Sequence, residues 1–430
     1  MKNQLIGLPA AVVLALVAAP SARAIDVTAG AWTLSFDGNV NANYIYSNCQ
    51  DHNDVAGGLA CVSDTTSDNS SAVSNGLLPA ALTVSGATTQ DGENLGFTFG
   101  LYPGISTNDG GSPNLQDIAS TDLGHTALGT AGLDVRQVFL TVGNNSWGTI
   151  MAGRNIGLFG ADAILNDMTL LGVGAGNGDY AAPANTSLGS IGLGYIYTDW
   201  LSQINYTTPD MSGAKVTVGI FDPLNTLGET PVNHSTPGMQ GKIAYTAGPL
   251  YLSASLLYQQ QRALCTDLAA GACGIAPGAG SYISYGSSAF DLGGKYDFNG
   301  FEVMGWYYRG KGVGTTGLFV NANDAMGDSR DSDGFLAQVT YKMGNTKVGV
   351  NYGVSNLQGT ALDRSTLCTF PGGEVVGCLV RRNDKVSLGL YQNVTDNLLF
   401  VAEFSRLESE SDADQTNSSW NINAGLFLKF

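Results

Sequence analysis

The sequence predicts an all-β chain: a transmembrane antiparallel β-barrel of 16 strands, with short periplasmic turns and long extracellular loops. Three observations carry that expectation. Charged residues are only 13% of the 430, against about 25% in soluble domains, and Gly alone accounts for 58. Apolar and polar residues alternate with period two over stretches longer than a soluble strand needs. Connections between these stretches are short and long by turns. The charge balance removes other classes. Asp and Glu number 36 against 19 Lys and Arg, a net charge of −17, which repels nucleic acid. An aromatic content of 9% with so little charge excludes a disordered chain.

The N-terminus is expected to be removed. Lys2 precedes an apolar run from Leu5 to Ala19, then Pro20-Ser21-Ala22-Arg23-Ala24. A basic start, an apolar middle and a small-x-small end make a secretory signal. The run is too short for a spanning helix, which needs about 20 apolar residues. Cleavage after Ala24 leaves 25–430 as a single barrel domain and, with Lys2 and Arg23 gone, moves the charge from −17 to −19.

The first strand is the clearest. Trp32, Leu34, Phe36, Val40, Ala42, Tyr44 and Tyr46 fall on even positions; Thr33, Ser35, Asp37, Asn39, Asn41 and Asn43 fall on odd ones. One face suits lipid and the other a polar lumen, which makes Asp37 and Asn39 candidate pore-lining residues. Leu95, Phe97, Phe99 and Leu101 repeat the pattern, as do Phe335, Ala337, Val339 and Tyr341, then Val348, Val350, Tyr352 and Val354, and finally Ile422, Ala424, Leu426, Leu428 and Phe430. Seven short connections carry turn residues, at 90–94, 143–147, 208–213, 247–249, 297–300, 343–346 and 393–397. Eight long ones fall at 47–73, 104–131, 155–198, 222–236, 260–281, 311–333, 355–383 and 407–419. Together they join 16 strands with both ends on the short-turn side. Lys215, Lys242, Lys295 and Lys347 have inward parity and sit near short turns, so they are expected at the periplasmic mouth.

Six cysteines allow 15 pairings. Proximity favours Cys49–Cys61, Cys265–Cys273 and Cys368–Cys378, each inside one long loop. Staples this short contribute roughly 2–3 kcal/mol each in the chain-entropy model and fit an oxidising compartment. No metal site is expected, because His52, His125 and His234 lie far apart in loops. Nor is a cofactor: Gly172-Val173-Gly174-Ala175-Gly176-Asn177-Gly178 has no helix after it to hold a phosphate. No G-x-S-x-G or H-E-x-x-H occurs, so no catalytic residues are assigned and the chain is not read as an enzyme. Two loops are acidic: Asp324, Asp328, Asp331 and Asp333 in the sixth, and Glu408, Glu410, Asp412 and Asp414 in the eighth. They are read as solvated charge that enriches cations at the outer mouth.

The run Val135-Arg136-Gln137-Val138-Phe139-Leu140-Thr141-Val142-Gly143, the turn Asn144-Asn145-Ser146-Trp147, and Gly148-Thr149-Ile150-Met151-Ala152-Gly153-Arg154-Asn155 resemble the strand pair before the third loop of Gram-negative general diffusion porins. Gly160-Ala161-Asp162-Ala163-Ile164-Leu165-Asn166-Asp167-Met168 resembles the start of their constriction loop, and terminal Phe430 their assembly signal. The resemblance implies an outer-membrane homotrimer in contact with lipid and lipopolysaccharide, built by the barrel-assembly machinery. Its third loop folds into the lumen, and acidic loop residues face basic wall residues across the pore. Arg136 matches a wall arginine and Asp167 a loop carboxylate. The chain departs from the pattern at Leu171, where a second acidic residue is common, and at Asn205, where an inward arginine is common. No basic residue stands near Pro79–Val84 either, which implies a weakened transverse field. The function implied is passive diffusion of small hydrophilic solutes and ions, with cations preferred. Two alternatives stay open: a substrate-specific porin for a sugar or other small solute, and a structural protein or adhesin with a blocked lumen.

Overall fold

The computed structural model describes residues 25–51, 53, 55–61, 69–105, 133–176, 186–225, 232–264, 282–366 and 378–430. The expected leader, His52 and His125, and Cys265, Cys273 and Cys368 lie outside them. Strands β1 (Ile25–Ala29) and β2 (Trp32–Cys49) come first, followed by the short β3 (Val55–Ala56) and β4 (Asn69–Ser74). Seven hairpins follow: β5 (Ala81–Gln90) with β6 (Glu93–Pro103), β7 (Leu133–Asn144) with β8 (Gly148–Ile156), β9 (Trp200–Thr207) with β10 (Ala214–Phe221), β11 (Gly238–Ala247) with β12 (Leu250–Leu264), β13 (Tyr282–Phe298) with β14 (Phe301–Lys311), β15 (Asp331–Met343) with β16 (Thr346–Gln358), and β17 (Cys378–Asn393) with β18 (Leu398–Ser411). The last strand is β19 (Thr416–Lys429).

Nineteen strands occupy sixteen places in one closed sheet. Three arrangements account for the difference. β4 and β5 share one place beside β2, pairing with Asn43–Asn48 and Thr33–Asn39 respectively. β1 and β19 share the place on its other side. β3 makes only a two-residue parallel bridge to β17. The seam runs from Ser419↔Cys49 to Lys429↔Asn39, and Gly38 and Phe430 then exchange both backbone hydrogen bonds at 3.1 Å.

Each expected short turn is present. Asp91-Gly92 and Asn299-Gly300 both have positive φ at their two central residues (50°, 83° and 47°, 85°), the conformation that continues the strand twist and that Asn, Asp and Gly tolerate. Side chains alternate as expected on β2: Val40 and Tyr44 are 56% and 51% exposed, while Asn39, Asn41 and Asn43 are buried. Outward Leu140, Ile204, Leu256 and Leu388 continue an exposed apolar belt around the barrel, far larger than a water-soluble surface carries. Tyr296, Phe298, Phe301 and Tyr341 stack in sequence at its short-turn edge, while Phe335–Tyr352 and Tyr46–Trp420 contacts mark the other, as interfacial girdles do.

The strands outlast their hydropathy signal. The seventh and eighth loops shrink from 355–383 and 407–419 to 359–377 and 412–415. Above the lipid both strand faces are polar, so alternation vanishes while the ladder continues: Arg382↔Glu410 and Asp384↔Glu408 still pair in register. Asp331 and Asp333 likewise stand in β15 rather than in a loop. Loop contacts crown this end. Arg330 grips buried Asp363 through two hydrogen bonds of 2.6 and 2.7 Å. Burial pushes the Asp363 carboxyl up, but Arg330 and the Thr360 N–H hold it below its ordinary value. Asp324 is buried and takes the N–H groups of Met326 and Asp328 and the Thr360 hydroxyl, so this acidic residue organises a turn. Cys49–Cys61 is a disulfide with Cα atoms 5.5 Å apart. Cys378 is also disulfide-bonded.

Candidate functional site: the third loop across the lumen

The third loop leaves the wall after Ile156 and returns before Trp200, its neck closed by the Gly157 N–H donating to the Asp199 carbonyl at 3.0 Å. A segment inside the lumen must satisfy its own backbone. Where strands alone were expected, it winds into a short helix, α1 (Ala161–Asn166), and a 3₁₀ turn over Met168–Leu171. Gly160 starts the helix at φ 77°, a conformation glycine takes without strain. Asp167 caps the 3₁₀ turn by accepting the Thr169 N–H at 2.9 Å.

The loop is tied to most of the wall around it. On one side the Leu158 N–H donates to Gln240 (2.9 Å) and the Gly160 N–H to Asp291 (2.5 Å). Asp162 accepts from Lys242 (3.1 Å) and Ser253 (2.5 Å). Toward β15 and β16, the Met168 N–H donates to Gln338 (2.9 Å), and Asp167 accepts from Asn351 (3.2 Å) and the Tyr195 hydroxyl (2.9 Å). On the far side Glu403 accepts the N–H groups of Val173 and Gly174 (2.8 Å each), the Tyr391 hydroxyl (2.6 Å) and Asn423 (3.2 Å). Fully buried Lys385 donates to the Gly189 carbonyl at 2.7 Å. A Cβ at Gly172 would stand 2.1 Å from the Glu403 carboxylate, so only glycine lets the loop approach this closely.

Apolar packing completes the anchorage. Ile164, Leu170, Leu188, Ile191, Leu193 and Tyr195 of the loop bury against wall residues Met304, Trp306, Leu336 and Leu407. A fully buried side chain of this size contributes roughly 1.5–3 kcal/mol. The segment between β4 and β5 adds a second layer: Leu77 and Leu78 donate their N–H groups to Gly172 (2.8 Å) and Leu170 (3.0 Å). An apolar cavity of about 40 Å³ remains beneath, lined partly by Leu77, Ile164, Leu188 and Arg136.

The expected site residues take the following places. Arg136 is buried on β7, where its guanidinium donates to Asp134 at 2.7 Å and lies 5.1 and 5.7 Å from the Tyr102 and Trp200 ring centres. Asn205 belongs to a neutral amide ladder: it donates to Gln203 (2.7 Å) and accepts from Gln240 (3.1 Å). Asn39 accepts from Asn41 at 2.8 Å. Asp37 and Lys215 are half-buried on inward faces nearer the short turns. Lys242 meets Asp162, and the Lys347 ammonium sits 5.0 Å from the Tyr391 ring centre. Sequence reasoning missed Asp162, Tyr195, Lys385 and Glu403 as anchors. The last two carried a signal, since each is an inward charge in a long strand with no charged neighbour on its own face.

At the loop's exit Asp199 is buried with φ 61° and accepts the Trp200 N–H at 2.6 Å. Burial pushes its carboxyl up to about 6, although that N–H and the charge of Arg154 pull the other way.

Comparisons with known proteins agree with this architecture. A family model described as Gram-negative porin matches residues 10–412. No protein of curated function matches the sequence. Among solved structures, the outer membrane channel DcaP of Acinetobacter baumannii superposes with TM-score 0.65 at 14% identity, covering 95% of this chain and 100% of that one. OmpF of Salmonella typhi, in complex with daunomycin, gives 0.55 at 12% identity over 94% and 100%. OmpT of Vibrio cholerae gives 0.53 at 14% identity over 94% and 100%. At these identities the likeness concerns the fold. With the family match over nearly its whole length, the closed sixteen-place barrel and the apolar outer belt, the chain belongs to the Gram-negative porins and is an outer-membrane channel for diffusion.

Proposed function

We propose that the channel passes small hydrophilic solutes through a constriction that sorts by size and hydrogen bonding, with little transverse field. One observation carries this reading: Lys242 and Arg136, the basic groups against the third loop on its near side, are each paired with a carboxylate at contact distance. Arg136 meets Asp134 and Lys242 meets Asp162, while Asp167 and Glu403 are buried behind neutral donors. A paired charge acts on a passing ion as a dipole, and its field falls off faster than that of a lone charge. In this reading Asp37, Lys215, Lys242 and Lys347 line the path, Arg136 and Asp167 belong to the anchorage of the third loop, and buried Asn39 and Asn205 brace the wall through amide pairs. The surplus of 36 acidic over 19 basic residues supports a weak cation preference set at the outer mouth. A homotrimer in contact with lipopolysaccharide, each barrel built by the assembly machinery that reads Phe430, completes the proposal by family kinship.

The test is single-channel current in a planar bilayer under a tenfold KCl gradient. Unitary steps with a small reversal potential favouring K⁺ are expected. A strongly selective channel of either sign would overturn the neutral constriction. The apolar cluster that bridges loop and wall favours a second reading, a plugged structural barrel, and folded protein that conducts nothing would establish it.

A further inference from the structure

Beneath the third loop, the inner wall carries an arrangement that the loop does not use. Lys342 near the end of β15 and Lys347 near the start of β16 are directly opposite each other in register. Both have inward parity, like buried Thr340 and Asn351 farther along the same strands. Directly opposed like charges destabilise a sheet, whereas opposite charges stabilise it. Among the described residues neither ammonium forms an ion pair. The carboxylates of this corner gather round a third lysine: Glu302 meets Lys295 at 3.2 Å, and Asp297 lies within the field of both. The field of Glu302 also reaches Lys347, but its contact is with Lys295.

The pair is held in place. The Lys347 ammonium rests on the Tyr391 ring, whose hydroxyl is fixed by Glu403. Two residues farther along β16, a Cβ at Gly349 would stand 2.9 Å from the Met168 sulfur of the loop. Lys347 therefore lies just below the constriction, at the periplasmic mouth. Lys342 is exposed and free to converge with it.

We infer that Lys342 and Lys347 form a binding site for a small doubly charged oxyanion, the two ammonium groups sharing one phosphate-like group. A dianion neutralises both lysines and removes their mutual repulsion, which a single chloride cannot do. The inference goes beyond the proposed passive channel and rests on it only for the direction from which the solute arrives.

Titration calorimetry on the folded protein in detergent tests it, with inorganic phosphate at pH 8, glycerol phosphate, and acetate as the singly charged control. Both dianions are expected to bind more tightly than acetate, and K342Q/K347Q to weaken them by about tenfold, as the loss of two partly exposed charge contacts implies. Phosphate bound more tightly than its ester points to the free anion as ligand, the reverse to the headgroup of a phosphorylated solute. The variant should be at least as heat-resistant as the parent, because a repulsion has been removed; lower resistance would make the lysines structural and overturn the site. Equal binding of acetate and phosphate, or dianion binding unchanged in the variant, would overturn it too. Bilayer recordings separate the two proposals: conduction without dianion binding sinks only this inference, and dianion binding without conduction sinks only the channel reading.

Discussion

The two halves of the third loop are fixed to the barrel differently. Along Leu158–Leu171 the loop adds charge of its own to its backbone contacts: Asp162 and Asp167 reach out to Lys242, Ser253 and Asn351, while the Gly160 N–H donates to Asp291 of the wall. In 172–176 and 186–194 the wall supplies the charge, and the loop offers bare backbone to Glu403, Lys385 and Ser355. The first arrangement needs a helix to aim its side chains. The second needs glycine, since Gly174 has φ 60° and its missing Cβ would stand 2.6 Å from Gly189. A loop can thus be anchored by its own chemistry or by the absence of side chains. Only the first kind leaves groups near the pore that substitution can retune without displacing the backbone.

The strongest way to break this contrast is Glu403→Ala. It strands the Val173 and Gly174 N–H groups, the Tyr391 hydroxyl and Asn423, at a cost on the order of 3 kcal/mol of loop anchoring. Flickering single-channel current and faster proteolysis near Gly174 are expected; quiet current would show that packing and the Lys385 and Ser355 contacts suffice to hold the glycine half. Gly174→Val should cost about 2 kcal/mol through backbone strain and overlap, read as the same flicker at smaller amplitude. Asp162→Asn, in the helical half, should cost only about 1 kcal/mol. Its effect is electrical: Lys242 is left uncompensated, and the reversal potential moves toward Cl⁻ with little added noise.

The smallest effect is pH-dependent. The Asp199 carboxyl rises from 3.8 to about 6 in the folded loop, so ionisation penalises the fold. That penalty is absent below about pH 4, grows between pH 4 and 6, and is complete above about pH 6. The loop's exit should therefore be steadier at pH 5 than at pH 7, seen as reduced current noise, and Asp199→Asn should flatten the difference. Noise that grows on acidification in the parent would contradict this sign.

The barrel was legible because lipid imposes period two on one face and short turns gather Gly, Asn, Asp, Pro and Ser, with Asp91-Gly92 and Asn299-Gly300 the sharpest of the seven signals. Strand ends were not, because above the lipid Arg382, Asp384, Glu408 and Glu410 make both faces polar while the ladder persists. Motif resemblance singled out Asp167 and Arg136 but not their partners. Tyr195 lies 28 residues from Asp167 and Asn351 lies 184 away, and no local pattern encodes such distances. Asp134 was overlooked although it stands two residues from Arg136 on the same face, because the run that carries the resemblance begins at Val135.

The seam between β2 and β19 has a kinetic consequence. Asn39 and Lys429 are cross-strand neighbours, and closing a loop of that length costs about 5 kcal/mol in chain entropy. No hairpin shares that cost, so the seven hairpins can zip early while the cylinder stays split along one line. Until it shuts, β2 and β19 each present a row of unsatisfied N–H and C=O groups, which invites pairing with another chain. Once shut, no edge remains from which to unravel. The same contact that makes this barrel slow to complete should make it slow to come apart.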